Sequence, residues 1–501
     1  MMAALVHAEP VREEAMAANS DVEGVRAPHA PTPLYANRVK VYPMRIDGAF
    51  RRVKWAVLAF CLALYYLGPW LRWSRGPGAP DQALLIDLPG RRAYFLGIEI
   101  WPQEVYYLTG LLILAAIGLF LATSLLGRVW CGYACPQTVW TDLFMLVERL
   151  IEGDRTERMR LDRRPLSPRK AGRKLAKHAA WLLIAAATGG AWVFYFQDAP
   201  TAVRQMATFS ASTETYFFFA LFTTTTYLLA GWAREQVCTY MCPWPRFQSA
   251  MLDEQSLIIT YEAWRGEPRG SHKQGASWEG RGDCVDCLKC VAVCPTGIDI
   301  RDGQQLECIG CGLCIDACNT VMPLVGRPGN LITFDTLANQ QARAQGKAAQ
   351  YRLLRPRTIV YASVLAVVCA IMLGALLMRA HLGIDVLHER SPLYVTLSNH
   401  EIRNGYTIKI LNKTHAAETY ALTLRGLRAY SMSVVGNPAT GDANHPLALR
   451  AEPDTVATYR LYLTAPRAAL AGESTPLTFE IEEHVTREAA ARDSIFLGPE
   501  R

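Results

Sequence analysis

The sequence predicts a multi-domain membrane protein: a five-helix transmembrane α bundle, a bacterial-type two-cluster ferredoxin insert and a C-terminal all-β sandwich. Three observations predict it: five apolar stretches of membrane-crossing length, two cysteine runs of identical spacing, and period-two alternation after residue 393. The 501 residues are 51% hydrophobic and only 19% charged, with a mean hydropathy of +0.07. That is too apolar for a disordered or ordinary cytosolic chain. The net charge of +7 is modest, and its basic residues fall in blocks that follow the apolar stretches. A nucleic-acid binder would gather them on one soluble face, so nucleic acid is not an expected partner.

Residues 1–54 hold no short apolar core followed by a small-residue cleavage site, so no signal peptide is expected. They read as a mobile cytoplasmic segment. The apolar stretches are Trp55–Leu71, Val105–Leu126, Ala179–Phe196, Tyr216–Ala233 and Thr358–Met378. Each is near the ~20 residues that cross ~30 Å of hydrocarbon. Lys and Arg number 8 before the first stretch, 12 in 127–178 and 14 in 234–357, against 4 in 72–104 and 1 in 197–215. The positive-inside rule puts the first three segments in the cytoplasm. Five crossings then put the C-terminal part on the far side, periplasmic for the inner membrane of a Gram-negative bacterium. The basic run from Arg155 to Lys177 reads as an anchor at anionic membrane lipid.

The expected domains are 1–54, a 55–233 transmembrane region, a 234–357 cytoplasmic ferredoxin domain, a 358–378 fifth helix and a 380–501 periplasmic β domain. In the last, Tyr406–Ile410, Tyr420–Leu424 and Tyr459–Leu463 alternate apolar and polar residues between Gly, Asn and Pro, as half-buried strands do.

Fourteen cysteines, twelve of them in two runs of four and two pairs, point to metal chemistry in a reducing compartment. Cys284, Cys287, Cys290 and Cys294 repeat the C-x2-C-x2-C-x3-C spacing of Cys308, Cys311, Cys314 and Cys318. In bacterial two-cluster ferredoxins the fourth Cys of each run ligates the other cluster. Cys284, Cys287, Cys290 and Cys318 are therefore assigned to one [4Fe–4S] cluster, and Cys308, Cys311, Cys314 and Cys294 to the second. Gly297, Gly310 and Gly312 supply backbone freedom to the crowded loops. Paired zinc sites are the competing reading, and zinc motifs rarely repeat this run.

The second constellation is Cys131-Gly-Tyr-Ala-Cys135-Pro136 after the second stretch and Cys238-Thr-Tyr-Met-Cys242-Pro243 after the fourth. On a helix, i,i+4 spacing sets two sulfurs on one face. Two such helices side by side offer four soft thiolates, with Met241 as a fifth sulfur, and such ligands select Cu(I) or zinc. Cys61 and Cys369 have no partner pattern and are read as packing. His178 beside Lys177 and Trp181 reads as an interfacial structural residue before a metal ligand or proton shuttle.

These motifs in this order resemble the cytochrome c oxidase accessory protein CcoG family, also called FixG or RdxA. The likeness covers nearly the whole chain after about residue 35. NapH-type and NosR-type electron-transfer proteins share the C-x3-C-P helices and clusters but lack the terminal domain. The resemblance implies an immunoglobulin-like terminal domain and a cupric reductase that turns Cu(II) into Cu(I) for the copper site of the cbb-type oxidase. The family's C-x3-C-P cysteines carry over onto Cys131, Cys135, Cys238 and Cys242 as the copper-handling, catalytic set. Its implied partners are copper ions, a copper chaperone or transporter, the oxidase assembly machinery and an unidentified cytoplasmic electron donor. Two other functions compete: an electron-transfer subunit linked to quinol or ferredoxin that feeds a periplasmic reductase, and a redox-sensing assembly factor.

Overall fold

A computed structural model describes residues 40–75, 79–272, 277–380, 382–414, 416–436, 440–483 and 487–499. The chain divides into two units, 1–41 and 42–501, and the described helices and strands lie in the second. The expectation of a mobile start falls largely on residues 1–39, outside the described residues. Helix α1 (Ala49–Leu67) begins six residues before the first apolar stretch, and its Arg51 and Lys54 are buried, so 49–54 is no part of a loose tail.

Among the described residues, three helices are long and apolar enough to cross a membrane: Ala49–Trp70, Pro102–Leu126 and Pro356–Leu377. The other two expected spans are helical but fail that test among the described residues. Ala179–Phe196 falls mostly within a 26-residue helix, Pro168–Val193, whose first half carries Arg169, Lys170, Arg173, Lys174 and Lys177. Tyr216–Ala233 is a 14-residue helix, Thr213–Thr226, that passes into a π-helical segment, Tyr227–Ala233. Charge shortens the first apolar run and the change of hydrogen-bond register interrupts the second. Three such helices, against the five expected, therefore satisfy length and apolarity.

Helix α2 (Tyr106–Leu126) packs against α3 (Pro356–Leu377) with Gly110 set beneath Met372. Between α1 and α2 lies a three-stranded sheet that the alternation did not predict: β1 (Leu84–Asp87), β2 (Arg92–Phe95) and β3 (Ile98–Ile100). Asp87 Oδ1 accepts from the Gly90 N–H at 3.0 Å and turns the chain at Pro89-Gly90.

The insert is anchored at the end of α2. Leu257 N–H donates to Leu125 O at 3.1 Å, and Arg355 reaches back to Ser124 O at 2.8 Å and to Asp253. Its antiparallel pair, β4 (Ile258–Tyr261) and β5 (Ile332–Asp335), brackets the cysteine loops.

After α3 come β6 (Leu382–His388), β7 (Val395–Thr396), β8 (Glu401–Asn412), β9 (Glu418–Arg425), β10 (Ser431–Val434), β11 (Thr440–Asp442), β12 (Leu447–Ala451), β13 (Thr455–Pro466), β14 (Ser474–Glu483) and β15 (Ala489–Leu497). One sheet runs β11-β10-β13-β8-β6 with β7 beside β8, and the other runs β12-β9-β14-β15. Alternate residues point inward, Tyr406, Ile408 and Ile410 from β8 against Leu422 from β9 and Phe479 and Ile481 from β14, and close an apolar core. Glu104, at the head of α2, pairs with Arg379 and Lys413, both at 2.9 Å, and ties this domain to the helices.

Candidate metal centre

Cys284, Cys287, Cys290 and Cys318 line one cavity of about 390 Å³, part of it open to solvent. Cys294, Cys308, Cys311 and Cys314 line another of about 340 Å³, and Cys290 borders both. None of the fourteen cysteines is joined in a disulfide. Gly310 and Gly312, at φ +70 and +75, turn the second loop through a backbone region that a side chain resists. Among the described residues, no three His, Cys, Asp or Glu side chains converge as one mononuclear ion requires. Four thiols spread around a void therefore suit an iron–sulfur cage better than a zinc ion with ~2.3 Å bonds. Burial pushes the Cys290 and Cys308 thiols up to about 12 and Cys318 to about 11. Without metal these groups stay protonated at neutral pH, so loading releases protons. Exposure is uneven: Cys287 is exposed, whereas Cys290 and Cys311 are buried.

The C-x3-C-P segments depart from the expected helix geometry. Cys131 sits in a five-residue helix, Val129–Tyr133, but Cys135 is extended (φ −60, ψ 129) and caps the next helix, Pro136–Glu152. Cys238 lies in a π-helical turn, Val237–Met241, and Cys242 is again extended (φ −81, ψ 122). Proline sets the break: with its ring and without an N–H it starts a new helix more readily than it ends an old one, so the preceding residue turns extended. The four cysteines thus become neighbours through the tertiary fold, not along two helix faces, and among the described residues no three of them converge on one point. Charge on Cys135, Cys238 or Cys242 is felt at Cys131, whose thiol burial first of all pushes up to about 12. Cys238 rises to about 11 for the same reason. Cys131 Sγ donates to Gln248 Oε1 at 3.1 Å, and buried Gln248 donates in turn to Thr123 Oγ1 at 3.3 Å. Met241 is 61% exposed, away from the role of a fifth sulfur.

The two cysteine systems touch. A Cβ on Gly132 would meet Ile309 O at 2.9 Å, Cys311 Cα at 3.0 Å and Cys311 N at 3.1 Å, so the bare glycine lets the segment lie on the second cysteine loop. Tyr133 Oη donates to Cys311 O at 3.0 Å. Arg128 donates to Cys308 O at 3.1 Å, to Leu306 O, and to Pro245 O at 2.6 Å beyond the second motif. Cys238 shares a cavity with Lys54, Asp142, Arg234, Thr296 and Ile309, bounded partly by the ferredoxin insert. Asp316, two residues after Cys314, accepts from the Arg51 N–H at 2.8 Å and the Phe50 N–H at 3.3 Å, holding the insert on the first turn of α1. Arg128, Gln248 and Lys54 lie outside every motif and Gly132 is an unassigned position within one, so spacing alone had no means of singling them out.

His178 bonds Tyr227 Oη at 2.9 Å and lies edge-on to Trp181. Cys61 is half-buried. Cys369 is exposed on the outer face of its apolar helix, where it packs against no protein core.

A family model described as a 4Fe-4S dicluster domain matches residues 233–337, and one described as a 4Fe-4S binding domain matches 108–152. A third, the IG-like fold at the C-terminal of FixG, a candidate oxidoreductase, matches 372–499. "Nitrogen fixation protein FixG" of Rhizobium meliloti is 50% identical over 479 residues, which cover 90% of this chain and 91% of that protein. The chain belongs to the FixG/RdxA family. RdxA of Cereibacter sphaeroides is 48% identical, covering 87% of this chain and 92% of its own length. RdxB of the same organism is 46% identical, with 93% and 97% covered. As a FixG/RdxA chain with 4Fe-4S domains and three membrane-length helices, it is an iron–sulfur oxidoreductase of a membrane. The match at 108–152 contains two cysteines, Cys131 and Cys135, too few to hold a cubane alone.

Proposed function

We propose that this chain reduces Cu(II) to Cu(I) for assembly of the copper site of the cbb-type cytochrome c oxidase. The observation that carries the reading is the contact of Gly132 and Tyr133 with the backbone of Ile309 and Cys311. Cys284, Cys287, Cys290 and Cys318 hold one [4Fe–4S] cluster; Cys308, Cys311, Cys314 and Cys294 hold the other. When bound, these groups supply one-electron reducing chemistry, at potentials within roughly −700 to +450 mV. The substrate Cu(II) gains one electron, which an unidentified cytoplasmic donor gives up.

Cys131, Cys135, Cys238 and Cys242 take the ion as thiolates and release their protons. Soft sulfur favours the Cu(I) product, which leaves by ligand exchange to a chaperone or transporter. Gln248 orients the Cys131 sulfur, and Arg128 holds both motifs against the loop of Cys308. In this reading the five apolar stretches all cross the inner membrane. The insert then faces the cytoplasm, and the β domain faces the periplasm.

The test changes all four of Cys131, Cys135, Cys238 and Cys242 to Ala. The variant is expected to keep about eight irons per chain and to lose cupric reduction; undiminished reduction overturns the assignment. The family-model match at 108–152 favours one second reading, an electron-transfer subunit whose C-x3-C-P cysteines hold a further iron–sulfur centre. It expects about twelve irons per native chain, falling to about eight in the quadruple variant.

A further inference from the structure

The ferredoxin insert enters and leaves the helical part at one place. Its incoming chain bonds the end of α2 through the Leu257 N–H, which donates to Leu125 O at 3.1 Å, and Ser256 Oγ, which donates to Ser124 O at 2.7 Å. Its outgoing chain returns to the same turn, where Arg355 donates to Ser124 O at 2.8 Å and pairs with Asp253. On another helix, Asp316 of the insert accepts from the Phe50 and Arg51 N–H groups at the start of α1, where Gly48 offers no side-chain cap. The chain just before α1 works as a strap. Tyr42 O and Pro43 O accept from Arg155 and Arg158, both at 2.6 Å, and the Arg45 N–H donates to Asp154 Oδ1 at 3.0 Å. These residues are thereby fixed to the helix Arg155–Arg163 and its cap. Met44, between them, donates its N–H to Ala292 O of the insert at 2.8 Å, and Met44 and Ile46 pack on Val293, Leu313 and Ala317.

The insert also walls the Cys238 cavity through Pro295, Thr296 and Ile309, facing Lys54, Asp142 and Glu235 on the helical side. Close contact of Gly132 with Ile309 and Cys311 suits electron transfer, but it closes the seam over the C-x3-C-P cysteines. An ion passing to or from those thiols needs the seam open, and one rigid arrangement does not serve both needs. We propose that the insert is a hinged lid over Cys131, Cys135, Cys238 and Cys242, pivoting where its two linkers meet the end of α2 and latched by Asp316 and the strap. The bonds from the linkers to α2 all end on Ser124 or Leu125, so they act as one pivot. The latch is one carboxylate on two N–H groups, one backbone bond and two apolar side chains, a small set to part. Opening also parts Tyr133 from Cys311 O and Arg128 from the Cys308 loop. The passage of copper through the seam rests on the reading above; the lid itself does not.

The experiment is anaerobic alkylation of the purified full-length chain with iodoacetamide, mapped by peptide mass, alongside amide exchange and an iron count. Wild type is compared with Asp316→Ala and with a strap variant, Met44→Ala combined with Ile46→Ala. Both variants are expected to keep the wild-type iron and to alkylate the four C-x3-C-P cysteines about ten-fold faster or more. The Leu257 amide, at the pivot, is expected to stay as protected as in wild type. Native alkylation rates in an iron-replete variant overturn the lid. So does a Leu257 amide that quickens in step with the thiols, because the insert then detaches whole. If Asp316→Ala loses iron, the strap variant decides; loss of iron from both makes the latch a structural support and overturns the proposal. The chain with all four cysteines changed to Ala separates the two readings. If it reduces Cu(II) undiminished while the latch variants still speed alkylation, the copper reading fails and the lid stands.

Discussion

Gly132→Ala tests the contact on which the functional reading depends. The added methyl would lie 2.9 Å from Ile309 O and about 3 Å from two backbone atoms of Cys311. Ordinary contact begins at 3.4 Å, so the segment and the loop must part by about 0.5 Å. All three atoms are main chain, and no side-chain rotation relieves them. Overpacking of this kind costs about 1–3 kcal/mol. Replacing glycine by alanine in a helix gains about 1 kcal/mol, which masks part of the cost. Gly172→Ala supplies the control, since Gly172 is helical and nothing lies within 4 Å of its Cβ. Thermal unfolding of the two variants in detergent should therefore separate them by about 1–3 kcal/mol. The rate of Cu(II) reduction by the pre-reduced protein should fall in Gly132→Ala alone. Equal stability and equal rates in the two would refute the idea that this packing positions the site.

Three further outcomes follow from the buried charges. Glu148 faces Arg158 at 2.8 Å, Arg234 at 2.9 Å and Lys177 at 3.5 Å. Glu148→Gln strands Arg158 and Arg234, while Lys177 keeps Glu152 at 3.0 Å, and should cost about 3–5 kcal/mol in denaturant unfolding. Burial alone would raise the Glu148 carboxyl, but the three cations hold it below its ordinary value. Its contribution is thus complete above the unfolded carboxylate pKa of about 4.3 and drains away as pH falls through the folded value. Acid titration of stability should be shallower in Glu148→Gln, and an unchanged acid limb would contradict this. Arg128→Met removes donors to three carbonyls and should cost on the order of 3 kcal/mol. Amide exchange should quicken at residues 306–310 while the β domain stays protected; uniform protection would count against the clamp. Glu104→Gln frees Arg379 and Lys413 at a cost of about 1–3 kcal/mol. Proteolysis of the link between α3 and β6 should speed up, and an unaltered digestion profile would show that the link is held elsewhere.

Local pattern carried far in this chain. Alternation around Tyr406, Tyr420 and Tyr459 marked segments that are strands β8, β9 and β13, because a strand half-buried in a sandwich writes its two faces into every second residue. The turn at Pro89-Gly90 was equally local, yet strands of three and four residues are too short for alternation to stand out. The C-x3-C-P segments misled in a different way. Helical spacing put each pair on one face, whereas the prolines and the π-helical turn set Cys135 and Cys242 in extended backbone.

Composition and spacing by themselves determined the family likeness, the order of the segments and the kinds of donor atom this protein can offer. Those properties reside in neighbouring residues, and a linear reading suffices for them. Only the tertiary structure decided that Gly132 rests on Cys311, that Arg128 spans both motifs, and that Lys54 stands buried near Cys238. Each of these joins residues more than a hundred positions apart in the chain. Close packing and the pairing of buried charge depend on distances through space, which no local pattern records.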